Sequence, residues 1–297
     1  MIRGVPLLLL LSACAASPPQ GGIVSTNPCA DAILAEIAPD RLAAVSHYSH
    51  DPAATSMPVD VAKRWPTTSG TAEEVIARHP DLVVTDSFAP AATRAAYARA
   101  GLKVLTLGSV ATIADSEHQV MEIATAAGRA ERGRAMVAEI ETALIRYTVP
   151  RRRPGPRREG LNDDAHRPPT SVPQPGPGLR RGTATRNPSA LLYIAGDLAS
   201  GSGNLLDELM TRAGFRNAAA DYGLAFTGTL PIETIAARPP VVILSPGDGR
   251  TAELRRRVLR QSGAETQEVA FPRRLMNCGG PVIPAALARL AAIRDAL

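Results

Sequence analysis

The chain is poor in aromatic rings. Trp, Tyr and Phe make up 3% of its 297 residues, and Trp65 is the one tryptophan. Its core must be largely aliphatic, so each ring merits individual inspection. Cysteine is scarce too, with three in all, and no Cys/His cluster has zinc-site spacing. No metal site and no resident cofactor are expected. The apolar run at residues 5–11 is far shorter than the roughly 20 residues that cross a bilayer. Catalytic signatures are missing as well. Gly201-Ser202-Gly203 leads into neither a Gly-Lys-Ser loop nor a full dinucleotide fingerprint. There is no Gly-x-Ser-x-Gly elbow, and no pair of carboxylates is set for acid–base work. These gaps count against an enzyme. An α/β enzyme of unknown substrate and a non-transport envelope lipoprotein are the competing readings.

The net charge of +5 suggests nucleic-acid binding until it is mapped. Residues 151–186 hold nine arginines against three acids, which exceeds the whole excess. The rest is nearly neutral, and nucleic acid is discounted as a partner.

What the sequence does contain begins with an export signal. Arg3 precedes the apolar run, and Leu11-Ser12-Ala13-Cys14 resembles a bacterial lipobox. Cys14 is the expected lipidation site, and residues 1–22 are read as signal peptide and tether. The expected location is the periplasm, held to a membrane by the lipid. From residue 23 onward strands alternate with helices. Apolar runs at residues 23–25, 42–46, 82–84 and 103–107 read as strands, with helices at 31–37, 72–78 and 91–100. Residues 23–115 form an expected first lobe. Helical periodicity then runs to Tyr147, as one kinked helix or two. Residues 116–149 are read as a connecting helix, weakened by Gly128 and Gly133 by about 1 kcal/mol each relative to Ala. Residues 150–188 are rich in Pro, Arg and Gly and read as a disordered insert. The α/β pattern returns over residues 189–297, a second lobe.

The halves repeat a unit. Glu74-Val75-Ile76-Ala77-Arg78-His79-Pro80 aligns with Glu233-Thr234-Ile235-Ala236-Ala237-Arg238-Pro239, and each runs on into an apolar strand. Glu73, Glu74 and Glu233 fall in first helical turns, where the helix dipole favours an acid. They are also candidates for pairing with basic residues of a partner.

Three stretches together resemble the Fe/B12 periplasmic-binding family. They are Ile23-Val24-Ser25-Thr26-Asn27-Pro28, Val45-Ser46-His47-Tyr48-Ser49-His50 and His79-Pro80-Asp81-Leu82-Val83. Asn277-Cys278-Gly279-Gly280-Pro281 resembles the late loop of one bacterial subgroup. The resemblance implies two Rossmann-like α/β lobes with central parallel sheets, joined by a long rigid helix, with the ligand between them. It implies a monomeric binding component of an ABC importer for a ferric siderophore, haem or a cobalamin-like corrinoid, so that any iron or cobalt belongs to the ligand. It also implies docking of Glu73 or Glu74, and Glu233, onto arginines of the permease/ATPase complex.

A large chelate needs a concave site with aromatic surface and a few polar groups. Candidates from the first lobe are His47, Tyr48, Trp65 and Phe88. Those from the second are Asn204, Tyr222, Phe226, Asn277 and Cys278. Tyr48 matches an aromatic that contacts cobalamin in the corrinoid binders. Trp65 reads equally well as cover for the sheet edge. Cys29 and Cys278 fall on expected cleft loops, one per lobe, and fit either a disulfide or two half-buried thiols. The late loop has no basic residue to meet an anionic ligand.

Overall fold

The computed structural model describes residues 21–148, 187–247 and 249–297. The expected signal peptide, Cys14 and nearly all of the 150–188 insert lie outside the described residues. The first lobe comprises β1 (Ile23–Ser25), α1 (Pro28–Ile37), β2 (Leu42–Ser46), α2 (Val59–Ala62), β3 (Thr67–Thr68), α3 (Ala72–Ala77), β4 (Leu82–Asp86), α4 (Ala91–Arg99) and β5 (Val104–Leu107). Its sheet is parallel, in the order β3-β2-β1-β4-β5. Parallel strands linked by helices are buried on both faces, which is why these strands read as unbroken apolar runs. Ile23 and Val84 face one core with Ile33 and Leu34 of α1. Their neighbours Val24 and Val83 face another with Val75 and Tyr97.

The second lobe comprises β6 (Ser189–Ala195), β7 (Leu198–Ala199), α7 (Leu205–Arg212), β8 (Arg216–Asn217), β9 (Gly228–Thr229), α8 (Ile232–Ala237), β10 (Val242–Ser245), α9 (Gly249–Gln261), β11 (Gln267–Ala270) and α10 (Ile283–Asp295). Its sheet runs β11-β10-β6-β7-β9, with β8 beside the start of β6. This is the first lobe's order again, with β6 in the place of β1 and β10 in that of β4. The halves differ in that β7 and β9 are antiparallel additions. Both are two residues long, below what periodicity detects.

The repeat is real, but its register is one residue from the sequence alignment. The starts of α3 and α8, Ala72 and Ile232, correspond, as do the starts of β4 and β10, Leu82 and Val242. Buried Val75 then matches buried Ile235. In this frame Glu73, not Glu74, is the partner of Glu233.

The connector is not one long helix. It is α5 (Ile113–Ala126) and α6 (Ala130–Tyr147), folded back on each other. The break is at Gly128, whose φ of 68° is left-handed. Gly128 N–H donates to Thr125 O at 3.0 Å and Arg129 N–H to Ala124 O at 2.7 Å. This closes the helix in a Schellman motif, which wants glycine at that place. The hairpin serves both lobes. Val120, Ile123 and Met136 enter the first lobe's core, whereas Ile113, Ile140 and Ala143 enter the second's.

Gly133 is the contact that lets the two helices approach. A Cβ there would overlap Ala124 Cβ and lie 3.2 Å from Met121 Sδ. The expectation that Gly133 merely weakens its helix is therefore corrected, because close packing outweighs propensity. Gly133→Ala should lower unfolding stability by about 1–3 kcal/mol despite alanine's better helix propensity. Urea denaturation measures this, and a more stable variant would contradict the packing account.

Candidate functional site

The C-terminal ends of the strands in both lobes face one cavity of about 380 Å³. This is where open α/β sheets place ligands, since loops there are free to vary while the sheet holds them. From the first lobe come Asn27 after β1, Asp86 at the end of β4 with Phe88 beyond it, and Gly108, Ser109 and Val110 after β5. Gln119 of α5 joins them. The second lobe contributes Ile194, Ser200, the α7 start at Asn204, Leu205 and Leu206, Thr227, and the late loop from Met276 to Gly279.

The polar lining is tied down locally. Asn27 caps α1, its Oδ1 accepting from Cys29 N at 2.8 Å and Ala30 N at 3.0 Å. Pro28 at the first helical position suits that cap, because its missing N–H is an orphan there anyway. Asn27 Nδ2 donates to Asp86 Oδ2 at 3.1 Å, joining the ends of β1 and β4. Asn204 caps α7 by accepting from Asp207 N, and its Nδ2 donates to Ser200 Oγ. Gln119 Nε2 donates to Gly108 O.

The floor is covalent. Cys29 and Cys278 form a disulfide with Cα atoms 5.3 Å apart. It joins the first turn of α1 to the late loop of the other lobe and closes a chain loop spanning 249 residues. On the loop-entropy account, closure of that length stabilises the fold by about 5 kcal/mol. Weaker ties surround it. Asn277 Nδ2 donates to Ala53 O and Thr55 O, and Gly280 N to Ser116 Oγ at 2.7 Å. Ile113 N donates to Glu208 Oε2 at 2.8 Å. The late loop is thus bound to the first lobe as well as to its own.

Of the residues expected at the site, Phe88, Asn204, Asn277 and Cys278 line the cavity. Phe88 is 81% exposed, and Phe226, beside the lining residue Thr227, is 82% exposed. His47 and Tyr48 sit in a 3-10 turn at the same end of the sheet, outside the lining. Their rings lie 4.0 Å apart, and Tyr48 is 51% exposed. Two residues are elsewhere. Trp65 packs against the core beside α1, its Nε1 donating to Pro39 O, because its large apolar ring covers that edge of the lobe. Tyr222 lies on the far core of the second lobe, where its hydroxyl donates to Arg238 O at 2.6 Å. Of the two alternatives open for Cys29 and Cys278, the disulfide is the one formed, and Gln119 was not among the expected contacts. Gln119 sits on a helix read only as a connector, so nothing local marked it.

Glu73 and Glu233 are both exposed. Glu74 is held by Ser69, accepting from its N at 2.9 Å and Oγ at 2.6 Å, with Arg78 at 3.5 Å. Partial burial opposes its ionisation, but those bonds prevail and lower its pKa. Among the described residues no group of acidic, His and Cys side chains is set to hold a metal. No helix among them is long and apolar enough to cross a membrane.

Residues 23–147 match the family described as Periplasmic binding protein. Three solved structures show how far the likeness extends. A periplasmic heme binding protein from Pseudomonas aeruginosa is 19% identical, with a TM-score of 0.65 over 92% of each chain. The heme-binding protein RhuT from Roseiflexus sp. RS-1 is 18% identical, with a TM-score of 0.61 over 93% of this chain and 97% of that one. The vitamin B12 binding protein BtuF of Vibrio cholerae is 15% identical, with a TM-score of 0.63 over 94% and 98%. No curated protein sequence matches the chain. The family match thus covers the first lobe and the hairpin, and the described residues of both lobes take the two-lobed fold of these structures.

Behind the cavity, Asp31 of α1 is fully buried and anchors the turn that bears His47 and Tyr48. It accepts from Ser46 N at 2.8 Å and Ser49 Oγ at 2.6 Å. Burial outweighs these bonds and pushes its pKa up to about 7. Between about pH 4 and pH 7 the folded carboxyl keeps a proton that the unfolded chain has lost. The group's contribution to stability therefore falls as pH rises through that window. Asp31→Asn should remove this dependence. Relative to wild type, the variant should gain more than about 1 kcal/mol between pH 4 and pH 7.5 in urea denaturation. Parallel stability profiles would contradict the assignment.

Proposed function

We propose that this chain is the solute-binding component of an ABC importer. It captures a metal chelate, a ferric siderophore or a cobalamin-like corrinoid, between its lobes and hands it to the permease. It is a carrier, not an enzyme. It works in the periplasm as a monomer, held to a membrane through lipid on Cys14. The observation that carries this reading is the cavity, formed by strand ends of both lobes and floored by a disulfide between them. Phe88 and Phe226, one per lobe and almost fully exposed, offer ring faces to a large flat ligand. Tyr48 and His47 extend that surface on the first lobe. Structural likeness to heme-binding and vitamin B12 binding proteins supports the ligand class.

Release requires docking. Glu73 and Glu233 occupy the same helical position in the two lobes, and both are exposed, as a pair of carboxylates meeting permease arginines must be. Glu74 braces the same helix. Equilibrium dialysis against cyanocobalamin, hemin and ferric siderophores should find one chelate bound per chain, with unchanged affinity in Glu73→Ala/Glu233→Ala. Cellular uptake of that chelate should fall at least about tenfold in the double variant, as loss of desolvated charge pairs does. Loss of affinity in that variant would contradict the docking role, and failure of every chelate to bind would refute the carrier reading.

A further inference from the structure

The cavity's charge is specific enough to narrow the ligand. Among the described residues that line it, Asp86 is the one charged side chain. The other polar groups are the carboxamides of Asn27, Gln119, Asn204 and Asn277 and the hydroxyls of Ser109, Ser200 and Thr227. No arginine, lysine or histidine reaches the lining among these residues. Two arginines adjoin lining residues without lining the cavity themselves. Arg94 donates to Ser87 O and Ala89 O, and Arg273 donates to Ile194 O at 2.9 Å. Helix N-termini are the other source of positive potential, since their free N–H groups attract anions. Here α1 and α7 both point their starts at the cavity, and in both the capping side chain takes up N–H donors. Asn27 accepts from Cys29 N and Ala30 N, and Asn204 accepts from Asp207 N, with the Asp207 carboxylate itself in the first turn of α7. Asp207 also accepts from Gly203 N at 2.9 Å.

An anionic ligand would lose its water in this cavity and gain no cation, a net cost. A neutral ligand would forfeit no ionic hydration and would gain apolar contact from Val110, Ile194, Leu206 and Met276. A cationic one would gain Asp86 in addition. Resting on the carrier reading above, we propose that the bound chelate has no net negative charge and that Asp86 sets the preference for neutral or cationic chelates. Polyanionic catecholate siderophores and porphyrins with free propionates are thereby disfavoured. Amide-decorated corrinoids and cationic hydroxamate chelates fit.

The test compares matched pairs that differ in one carboxylate. N-acetylferrioxamine B is set against its N-succinyl counterpart, and cyanocobinamide against its monocarboxylic hydrolysis product, by equilibrium dialysis with the whole protein. In whichever pair binds, the member without the added carboxylate should bind about tenfold tighter or more, a difference of about 1.4 kcal/mol. Raising the salt concentration should shrink the gap. Asp86→Asn should shrink it further, and Ser109→Lys, which adds a cation at an exposed lining position, should reverse it. The proposal is overturned if the carboxylated member binds as tightly or more tightly, or if both variants leave the ratio unchanged. If neither pair binds but hemin or ferric enterobactin does, the charge rule fails and the carrier reading stands. If no chelate binds at all, both fail.

Discussion

The seam between the lobes is the constraint on which the rest depends. Two α/β units of about a hundred residues each would otherwise meet only through a helical hairpin, and domain pairs with small contacts move freely. Here the late loop is fastened at three points, two on the other lobe and one on the hairpin. The Cys29–Cys278 disulfide is covalent, Asn277 reaches the carbonyls of Ala53 and Thr55, and Gly280 N meets buried Ser116. Gly279 and Gly280 permit this closeness, since a side chain at either would strike Ser116 or Ile33. The cavity is therefore a property of the folded chain rather than of one closed state. A pocket held in shape before the ligand arrives avoids part of the ordering cost of binding.

The same economy appears at the strand ends. Asn27 caps α1, holds Asp86 and faces the cavity, and lies two residues from the disulfide. Asn204 does the equivalent work in the second lobe with Ser200 and α7. Helix capping, which ordinarily serves stability alone, here also fixes the polar lining. It removes the donors that would otherwise invite anions. The repeated strand order explains why the two lobes present equivalent edges to one cavity.

Much of this architecture was legible in the sequence because buried parallel strands and glycine-ended helices leave strong local marks. The strands at Ile23, Leu42, Leu82 and Val104 stand where apolar runs place them. The connector was misjudged in its length, because periodicity runs on through a Schellman turn at Gly128 and shows no direction. The repeat was visible, but its register was not. Glu73 and Glu74 are adjacent, and only the buried pair Val75 and Ile235 fixes the frame. At the site, Phe88 follows a strand end and Asn204 a glycine loop at a helix start, whereas Asn277 and Cys278 were marked by the resemblance of the late loop. Trp65 precedes β3 and Tyr222 follows β8, both turn to cores, and sequence position carries no side-chain direction. The pairing of Cys29 with Cys278 depends on two lobes meeting across 249 residues, which no local pattern encodes.

The central claim is that the interlobe cavity carries a metal chelate. Native mass spectrometry of the protein isolated from its own envelope fraction weighs that cargo directly. The account predicts a single noncovalent adduct whose accurate mass requires one iron or one cobalt, lost on mild collisional activation. A chain that comes off bare, or one carrying a metal-free adduct, would contradict it.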